Sequence, residues 1–252
     1  MSTTSGGGLP VPLVEVHETA DDLATAVAGA LVRRLTVRQA AGDVPTVGLT
    51  GGSIADKIHR EVARLGATSE VDWSRVSFFW GDERFVAADS DDRNAKQARE
   101  AFLDTIGADP ARVHEIPSTA DADTAEAAAA AYADTVRSQG GGEFDVLMLG
   151  VGPDGHIASL FPGFPQLDVD DAIAVGVTGS PKPPPERVSL TFPALNHSAE
   201  VWFVVSGDGK AEAVGRALAA EPPGVHELPA TGVRGRTATI WFLDRDAASR
   251  VP

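Results

Sequence analysis

The sequence predicts an α/β fold with an open, mostly parallel sheet flanked by helices. Two observations point to this class. Short apolar runs that suit buried strands alternate along the chain with longer segments of helical periodicity, which is the pattern of parallel sheets covered on both faces. Apolar residues make up 43% of the 252 residues, enough to form a substantial core. We expect a disordered or extended lead over residues 1–12 and one domain over residues 13–252.

The predicted elements follow one another in a regular order. A first helix is expected at 19–40, where leucine, valine and alanine recur at helical spacing, with acidic residues early and basic residues late, as the helix dipole favours. Further helices are expected at 54–66, 92–106, 120–139 and 209–220. Strands are expected at 46–50, 76–81, 144–152, 172–177, 187–191, 201–206 and 237–243.

The composition excludes several functions. The formal net charge of -15 argues against non-specific binding to nucleic acid or to anionic membranes, because the long-range field repels phosphate groups. No stretch approaches about eighteen consecutive apolar residues, and the first residues lack the pattern of a secretory signal, so we expect a cytoplasmic protein. The absence of cysteine excludes disulfides, thiolate metal sites and a cysteine nucleophile.

Two turns that follow predicted strands carry groups suited to an anion. In open α/β sheets, ligands bind beyond the carboxyl ends of the strands. Gly51, Gly52 and Ser53 join a strand to a helix, where free backbone amides and the helix dipole can hold a negative charge. In GDER, Asp82 and Arg84 follow an aromatic strand, and the planar guanidinium of Arg84 suits a phosphate or carboxylate. The alternatives are a tight connection with a serine cap and a solvated loop.

A third turn, GVGPDGH at 150–156, has the spacing G-x-G-x-x-G without the context of a dinucleotide site. A long helix should follow the third glycine, with an acidic residue about twenty positions on at the end of a second strand, and Pro162 interrupts that pattern. The glycines instead leave Asp154 and His156 at the strand end. An imidazole can act as a general base near neutral pH, and a carboxylate can orient it. The alternative is a histidine bonded only to backbone groups.

Four sequence blocks in order resemble those of the 6-phosphogluconolactonases: TVGLTGGSIADKIHREV, VSFFWGDERFVAADSDDRN, FDVLMLGVGPDGHIASLFPG and SPKPPPERVSLT. The similarity spans about residues 14–242. A relaxed form of the third block also occurs in the related glucosamine-6-phosphate deaminases, whereas the fourth block favours the lactonases. The resemblance implies a Rossmann-like α/β fold shared with sugar-phosphate isomerases and deaminases. It also implies hydrolysis of 6-phosphoglucono-1,5-lactone in the oxidative pentose phosphate pathway, without metal or organic cofactor.

The resemblance implies roles for individual residues by motif position. His156 would activate water, and Asp154 would orient it or hold substrate. The phosphate- and sugar-binding groups are expected among Gly51, Gly52, Ser53, Asp82, Arg84, Asn94, Lys182, Arg187 and Lys210. Arg93 departs from the family pattern, which has a small residue such as serine before Asn94. The expected partner is a small phosphorylated sugar lactone, with no nucleic acid or membrane, and a monomer is favoured.

Other interpretations remain open. The segment SPKPPPER can be a stiff loop with solvent-facing charges, although its prolines would also hold Lys182 and Arg187 in fixed directions. A glucosamine-6-phosphate isomerase/deaminase would use Asp82 as a base toward a carbon acid and His156 in ring opening. A non-catalytic sugar-phosphate-binding module would accompany a DNA-binding domain, but the residues before the first predicted strand contain no helix-turn-helix pattern or basic patch.

Overall fold

The computed structural model describes residues 11–140 and 143–252. Most of the expected lead, residues 1–10, lies outside the described residues, and residues 11–12 have no regular secondary structure. Within the described residues, no helix combines the length and the apolar character that crossing a bilayer requires.

Within the described residues, the main sheet has six strands, and every neighbouring pair in it is parallel. The strands are β1 (Leu13–His17), β2 (Thr46–Leu49), β3 (Ser77–Trp80), β5 (Phe144–Leu149), β8 (Ser198–Val205) and β9 (Ala238–Asp244). Their order is β1-β9-β8-β5-β2-β3. The prediction of an open α/β sheet is therefore confirmed. The connections from β2 and from β5 lead to opposite sides, so the direction of winding reverses between these two neighbours.

A second sheet has three antiparallel strands, in the order β4-β7-β6. Its strands are β4 (Asp82–Arg84), β6 (Ala174–Val177) and β7 (Arg187–Leu190). The helices are α1 (Ala20–Ala40), α2 (Ser53–Gly66), α3 (Asn94–Ala98), α4 (Ala125–Gln139), α5 (Phe192–Asn196) and α6 (Ala211–Ala217). Helix α1 packs on α2, and α4 packs on the small sheet.

The core forms around the central strands because their side chains are apolar on both faces. Five of the six residues of β5 are buried, as are all four residues of β2 and of β3. Tyr132 of α4 ties the helix layer to the sheet: its hydroxyl accepts a hydrogen bond from Trp80 N–H (2.8 Å) and donates to Trp80 O (2.9 Å). A buried phenol needs such partners, so this contact fixes the position of α4 against β3.

Four features differ from the predicted elements. Strand β1 was not predicted: it is a short edge strand of five residues, and none of them is buried. Strand β4 was expected as a loop, because its residues are all charged and its burial depends on partners remote in sequence. The predicted helix 92–106 begins at Asn94 and continues as a π-helical turn over Arg99–Leu103. Helix α5 was also not predicted.

His59 of α2 is a buried histidine that makes the stability of this fold depend on pH. Its ring stacks on Phe102 with centroids 4.7 Å apart, and Nε2 has no hydrogen-bond partner among the described residues. Burial lowers the pKa of His59 from 6.5 to about 4, against the opposing effect of Asp56. The folded state therefore resists protonation of this ring over a range in which the unfolded chain accepts a proton.

We predict that the contribution of His59 to stability is complete above pH 6.5 and is lost as the pH falls toward 4. The loss amounts to about 3 kcal/mol in the free energy of unfolding. Urea unfolding of the wild type and of His59→Leu between pH 4 and pH 7 should show a weaker pH dependence in the variant. The surface variant His226→Leu serves as the control and should keep the wild-type dependence.

Candidate active site

A cavity of about 280 Å³ opens at the carboxyl edge of the main sheet, beside the ends of β2 and β5. This is the place where the winding reverses and where open α/β sheets bind ligands. The predicted residues that line it are Gly51, Gly52, Ser53, Asp82, Arg84, Asn94, His156, Lys182, Arg187 and Lys210. Asp154 is outside the lining but contacts His156. Lining residues that sequence reasoning did not single out include Ala158, Pro183 and Ser206.

The turn after β5 holds His156 against Asp154. His156 Nδ1 lies 2.5 Å from Asp154 Oδ1, and the ring packs on Phe161 with centroids 4.6 Å apart. The glycines permit this close turn: a Cβ on Gly152 would lie 2.0 Å from His156 Nδ1, and Gly155 has φ of 79°. The backbone closes the turn as Gly152 N–H donates to His156 O at 2.9 Å. No α-helix lies between this turn and β6, in agreement with the rejection of a dinucleotide site.

The charge of Asp154 determines the tautomer of His156. Burial raises the pKa of Asp154, but the hydrogen bond from His156 and the positive charges of His156 and Lys182 outweigh burial and lower it to about 2. The carboxylate is therefore ionised near neutral pH and accepts the Nδ1 proton of the imidazole, whether the ring is neutral or positively charged. In the neutral ring, the remaining nitrogen, Nε2, carries a free lone pair that can accept a proton.

Two lysines add positive charge beside this pair. Lys182 Nζ lies 4.0 Å from Asp154 Oδ1. Burial lowers the pKa of Lys182; Asp154 opposes this shift, whereas Lys210 and Arg187 add to it. Burial also lowers the pKa of Lys210, again opposed by Asp154. The two ammonium groups share the nearby carboxylate of Asp154, and the remaining positive charge favours an anionic ligand.

Helix α2 begins at the same cavity with free backbone donors. Gly52 has φ of 99°, a conformation that favours glycine, and it precedes Ser53 without any side chain capping the helix. The first N–H groups of a 14-residue helix are thus available to a ligand. A Cβ on Gly51 would lie 1.8 Å from Asn94 Oδ1, so glycine is also required there by close packing.

A buried network behind the cavity holds Asn94 in place. The carboxylate of Glu83 accepts hydrogen bonds from the backbone N–H groups of Arg84 (2.8 Å), Asn94 (2.7 Å) and Ala95 (2.8 Å). Burial raises the pKa of Glu83 to about 7, while Arg93 and these N–H groups oppose that shift. Arg93, the departure from the family pattern, is 2% exposed and lies 3.7 Å from Glu83. Arg93 therefore supports Asn94 from behind, and Asn94 still reaches the cavity.

Ser159 is a structural link that the sequence reasoning missed. Its hydroxyl donates to Asp82 Oδ2 at 2.7 Å, and its N–H donates to Ser189 Oγ at 3.2 Å. Ala158, just before it, has φ of 46°, in the left-handed region that is unfavourable for alanine. The link joins the turn that carries His156 to both β4 and β7. A serine in an apolar segment gives no signal of this role, because its partners come from distant parts of the chain.

The described residues contain no cluster of three or more histidine, aspartate or glutamate side chains arranged to hold a metal ion. The arrangement defines an α/β enzyme with a cationic cavity at the carboxyl edge of a parallel sheet and a carboxylate-bound imidazole in its wall. The sequence model of the family described as glucosamine-6-phosphate isomerases/6-phosphogluconolactonase matches residues 18–241. The chain belongs to this family.

Curated relatives and solved structures agree with this assignment. The chain is 42% identical over 250 residues to a 6-phosphogluconolactonase of Streptomyces coelicolor, covering 96% of this chain and 95% of the relative. It is 40% identical over 247 residues to a 6-phosphogluconolactonase of Mycobacterium tuberculosis, covering 95% of this chain and 98% of the relative. The crystal structure of 6-phosphogluconolactonase from Thermotoga maritima superposes with a TM-score of 0.81 at 28% identity, covering 93% of this chain and 100% of that one.

We predict that Gly152→Ala separates His156 from Asp154, because the added methyl would overlap the imidazole. Overpacking of this kind costs about 1–3 kcal/mol, so the variant should still fold. In long-range ¹H–¹⁵N spectra, the wild-type His156 signal should show a proton on Nδ1, and the variant should show mixed tautomers. Gly224→Ala places the same methyl in open space and should leave the signal unchanged. An unchanged His156 signal in Gly152→Ala would contradict the prediction.

Proposed function

We propose that this protein hydrolyses 6-phospho-D-glucono-1,5-lactone to 6-phosphogluconate, the second step of the oxidative pentose phosphate pathway. The observation that carries the proposal is the 42% identity, over nearly the whole of both chains, to a relative named 6-phosphogluconolactonase. A lactone carbonyl is electrophilic and its leaving group stays tethered, so one positioned base and groups that stabilise negative charge are sufficient. The cavity contains groups of both kinds.

The proposed mechanism uses His156 as the general base. Nε2 removes a proton from water, and the resulting hydroxide attacks C1 of the lactone to form a tetrahedral intermediate. Collapse of the intermediate breaks the bond from C1 to the ring oxygen, and the imidazolium returns the proton to that oxygen. Asp154 keeps the Nδ1–H tautomer and stabilises the imidazolium through their 2.5 Å contact. Atoms and charge balance without any further reactant.

The cavity is suited to bind the negatively charged phosphate of the substrate. Arg84, Lys182 and Lys210 provide cations, and the first N–H groups of α2 provide backbone donors. A phosphorylated lactone does not cross a membrane unaided. We therefore propose that the protein works in the cytoplasm, together with the enzyme that forms this substrate.

The second candidate is isomerisation and deamination of glucosamine 6-phosphate, because the matching family model includes such isomerases. Asp82 would then act as the base toward carbon. Its Oδ2 already accepts the hydroxyl of Ser159, which restrains this carboxylate. Ammonia release from glucosamine 6-phosphate, measured beside hydrolysis of freshly generated lactone, separates the two functions. Ammonia release without lactone hydrolysis would overturn the proposal.

We predict that His156→Gln lowers kcat for lactone hydrolysis by about 10²- to 10⁴-fold, the usual contribution of general base catalysis. The melting temperature should change little, because the imidazole lies in a cavity wall. His226→Gln is a matched control, since His226 also pairs with a carboxylate, that of Asp168 at 3.0 Å, but on the surface. A kcat near the wild-type value in His156→Gln would refute the role of His156 as base.

We predict that Lys210→Ala raises KM by about 10- to 100-fold, since a hydrogen bond to a charged group contributes about 1.5–3 kcal/mol. The value of kcat should change less. Lys57→Ala is the control, because Lys57 is a surface lysine paired with Asp21. Steady-state kinetics give KM for each variant. Inhibition by inorganic phosphate should weaken in Lys210→Ala but not in Lys57→Ala. An unchanged KM would remove Lys210 from the proposed phosphate site.

A further inference from the structure

The loop that carries Lys182 has little apolar packing to hold it. From Thr178 to Glu186 no residue is buried, and Pro181, Pro183 and Pro185 are exposed. Proline limits the conformations of such a loop, but it does not determine where the loop lies relative to the rest of the protein. Since Lys182 lies 4.0 Å from Asp154, another interaction must hold the loop against the turn of His156.

Arg187, the first residue of β7, supplies this attachment. Its side chain is turned toward the loop, and the residue is only 5% exposed. Nε donates to Pro184 O at 2.8 Å, while Nη2 donates to Lys182 O and to Pro183 O, each at 3.1 Å. Three consecutive carbonyl groups are therefore held by one planar guanidinium.

The loop also contains bonds of its own, which make it a single unit. Ser180 N–H donates to Pro185 O at 3.0 Å, and Ser180 Oγ donates to Lys182 O at 3.0 Å. These bonds close the loop on itself but do not join it to the sheet. At its end, Phe85 N–H donates to Glu186 O at 2.9 Å and Arg187 pairs with both neighbouring strands, while the side chain of Arg187 holds the part of the loop that carries Lys182.

The donors of Arg187 are mostly committed to these carbonyls. A guanidinium has five N–H donors, and the hydrogens of Nε and Nη2 point to the loop. Only the Nη1 group is left for a ligand in the cavity. Lysine could replace the charge of Arg187 but not its planar arrangement of donors.

We propose that Arg187 is a positioning residue that acts through Lys182: its guanidinium fixes the loop so that the Lys182 ammonium stays beside the His156–Asp154 pair. This inference rests on the proposed function and specifies one part of its site. The alternative is that Arg187 binds the phosphate of the substrate directly.

A double-mutant cycle separates the two roles. We expect Arg187→Met to lower kcat/KM by about 10- to 100-fold, as misplacement of a group by a change outside the chemistry can do. Arg187→Lys should lose a similar amount, because restoring the charge does not restore the three bonds. The double variant with Lys182→Met and Arg187→Met should have a kcat/KM no more than about twofold below that of Lys182→Met alone. The effects of residues that act as one unit are not additive.

Three outcomes would overturn the inference. These are multiplicative losses in the double variant, near-wild-type kcat/KM in Arg187→Lys, or no effect of Arg187→Met. Arg64→Met, which removes an exposed arginine paired with Glu61 on α2, controls for the loss of a positive charge. If Arg187→Met does not fold, the cycle is run with Arg187→Lys.

Hydrogen exchange tests the attachment without substrate. In a peptide covering residues 178–187, Arg187→Met should exchange faster than the wild type, because the N–H groups of Ser180 and Lys182 lose the support of the anchored loop. Unchanged exchange would contradict the anchor. Lack of lactone hydrolysis by the wild type would instead refute the proposed function, and the exchange result would still decide whether Arg187 holds the loop.

Discussion

The site depends on the parallel direction of six strands and on the reversal of winding between β2 and β5. Parallel strands deliver their carboxyl ends to one edge, and connections that leave β2 and β5 in opposite directions leave a crevice between them. Gly48 of β2 pairs with Leu147 of β5 and leaves room for the leucine side chain, since a Cβ on Gly48 would lie 2.4 Å from Leu147 Cδ1. This packing brings the start of α2 next to the turn that carries His156. The cavity therefore follows from the topology before any catalytic group is considered.

The charge distribution then turns this crevice into a site for an anion. The chain carries a net charge of -15, yet in the part of it that the structure describes, the charged residues that line the cavity are four cations and one carboxylate: Arg84, Lys182, Arg187, Lys210 and Asp82. The acidic excess lies elsewhere, where water and salt screen it. Inside the cavity, burial removes the ammonium groups of Lys182 and Lys210 from water, which lowers their pKa values, and it also strengthens their attraction for a bound anion. A local cluster thus outweighs the long-range repulsion that the whole chain exerts on a phosphate.

The sequence was informative where one segment determines its own structure. Helix α1 and the buried strands follow from periodicity, and the glycines after β5 indicated a turn that presents Asp154 and His156. Strand β4 could not be predicted, because burial of its charged residues depends on N–H groups of α3 and on Arg93. The same reason applies to Ser159, whose partners come from β4 and β7. Interactions between polar groups far apart in the chain leave no pattern in either segment.

The small antiparallel sheet explains how two separate loops can form one site. Asp82 in β4 and Ser189 in β7 hold the turn of His156 through Ser159, and Arg187 in β7 holds the loop of Lys182. Because these contacts are buried and polar, each partner needs its particular counterpart, and a buried group left without its hydrogen bond costs roughly 1–3 kcal/mol, more where it is charged. An apolar contact of similar area would allow the two loops to shift relative to each other. The polar contacts therefore restrict the two loops to one relative position, which the proposed attack of water on a carbonyl carbon requires.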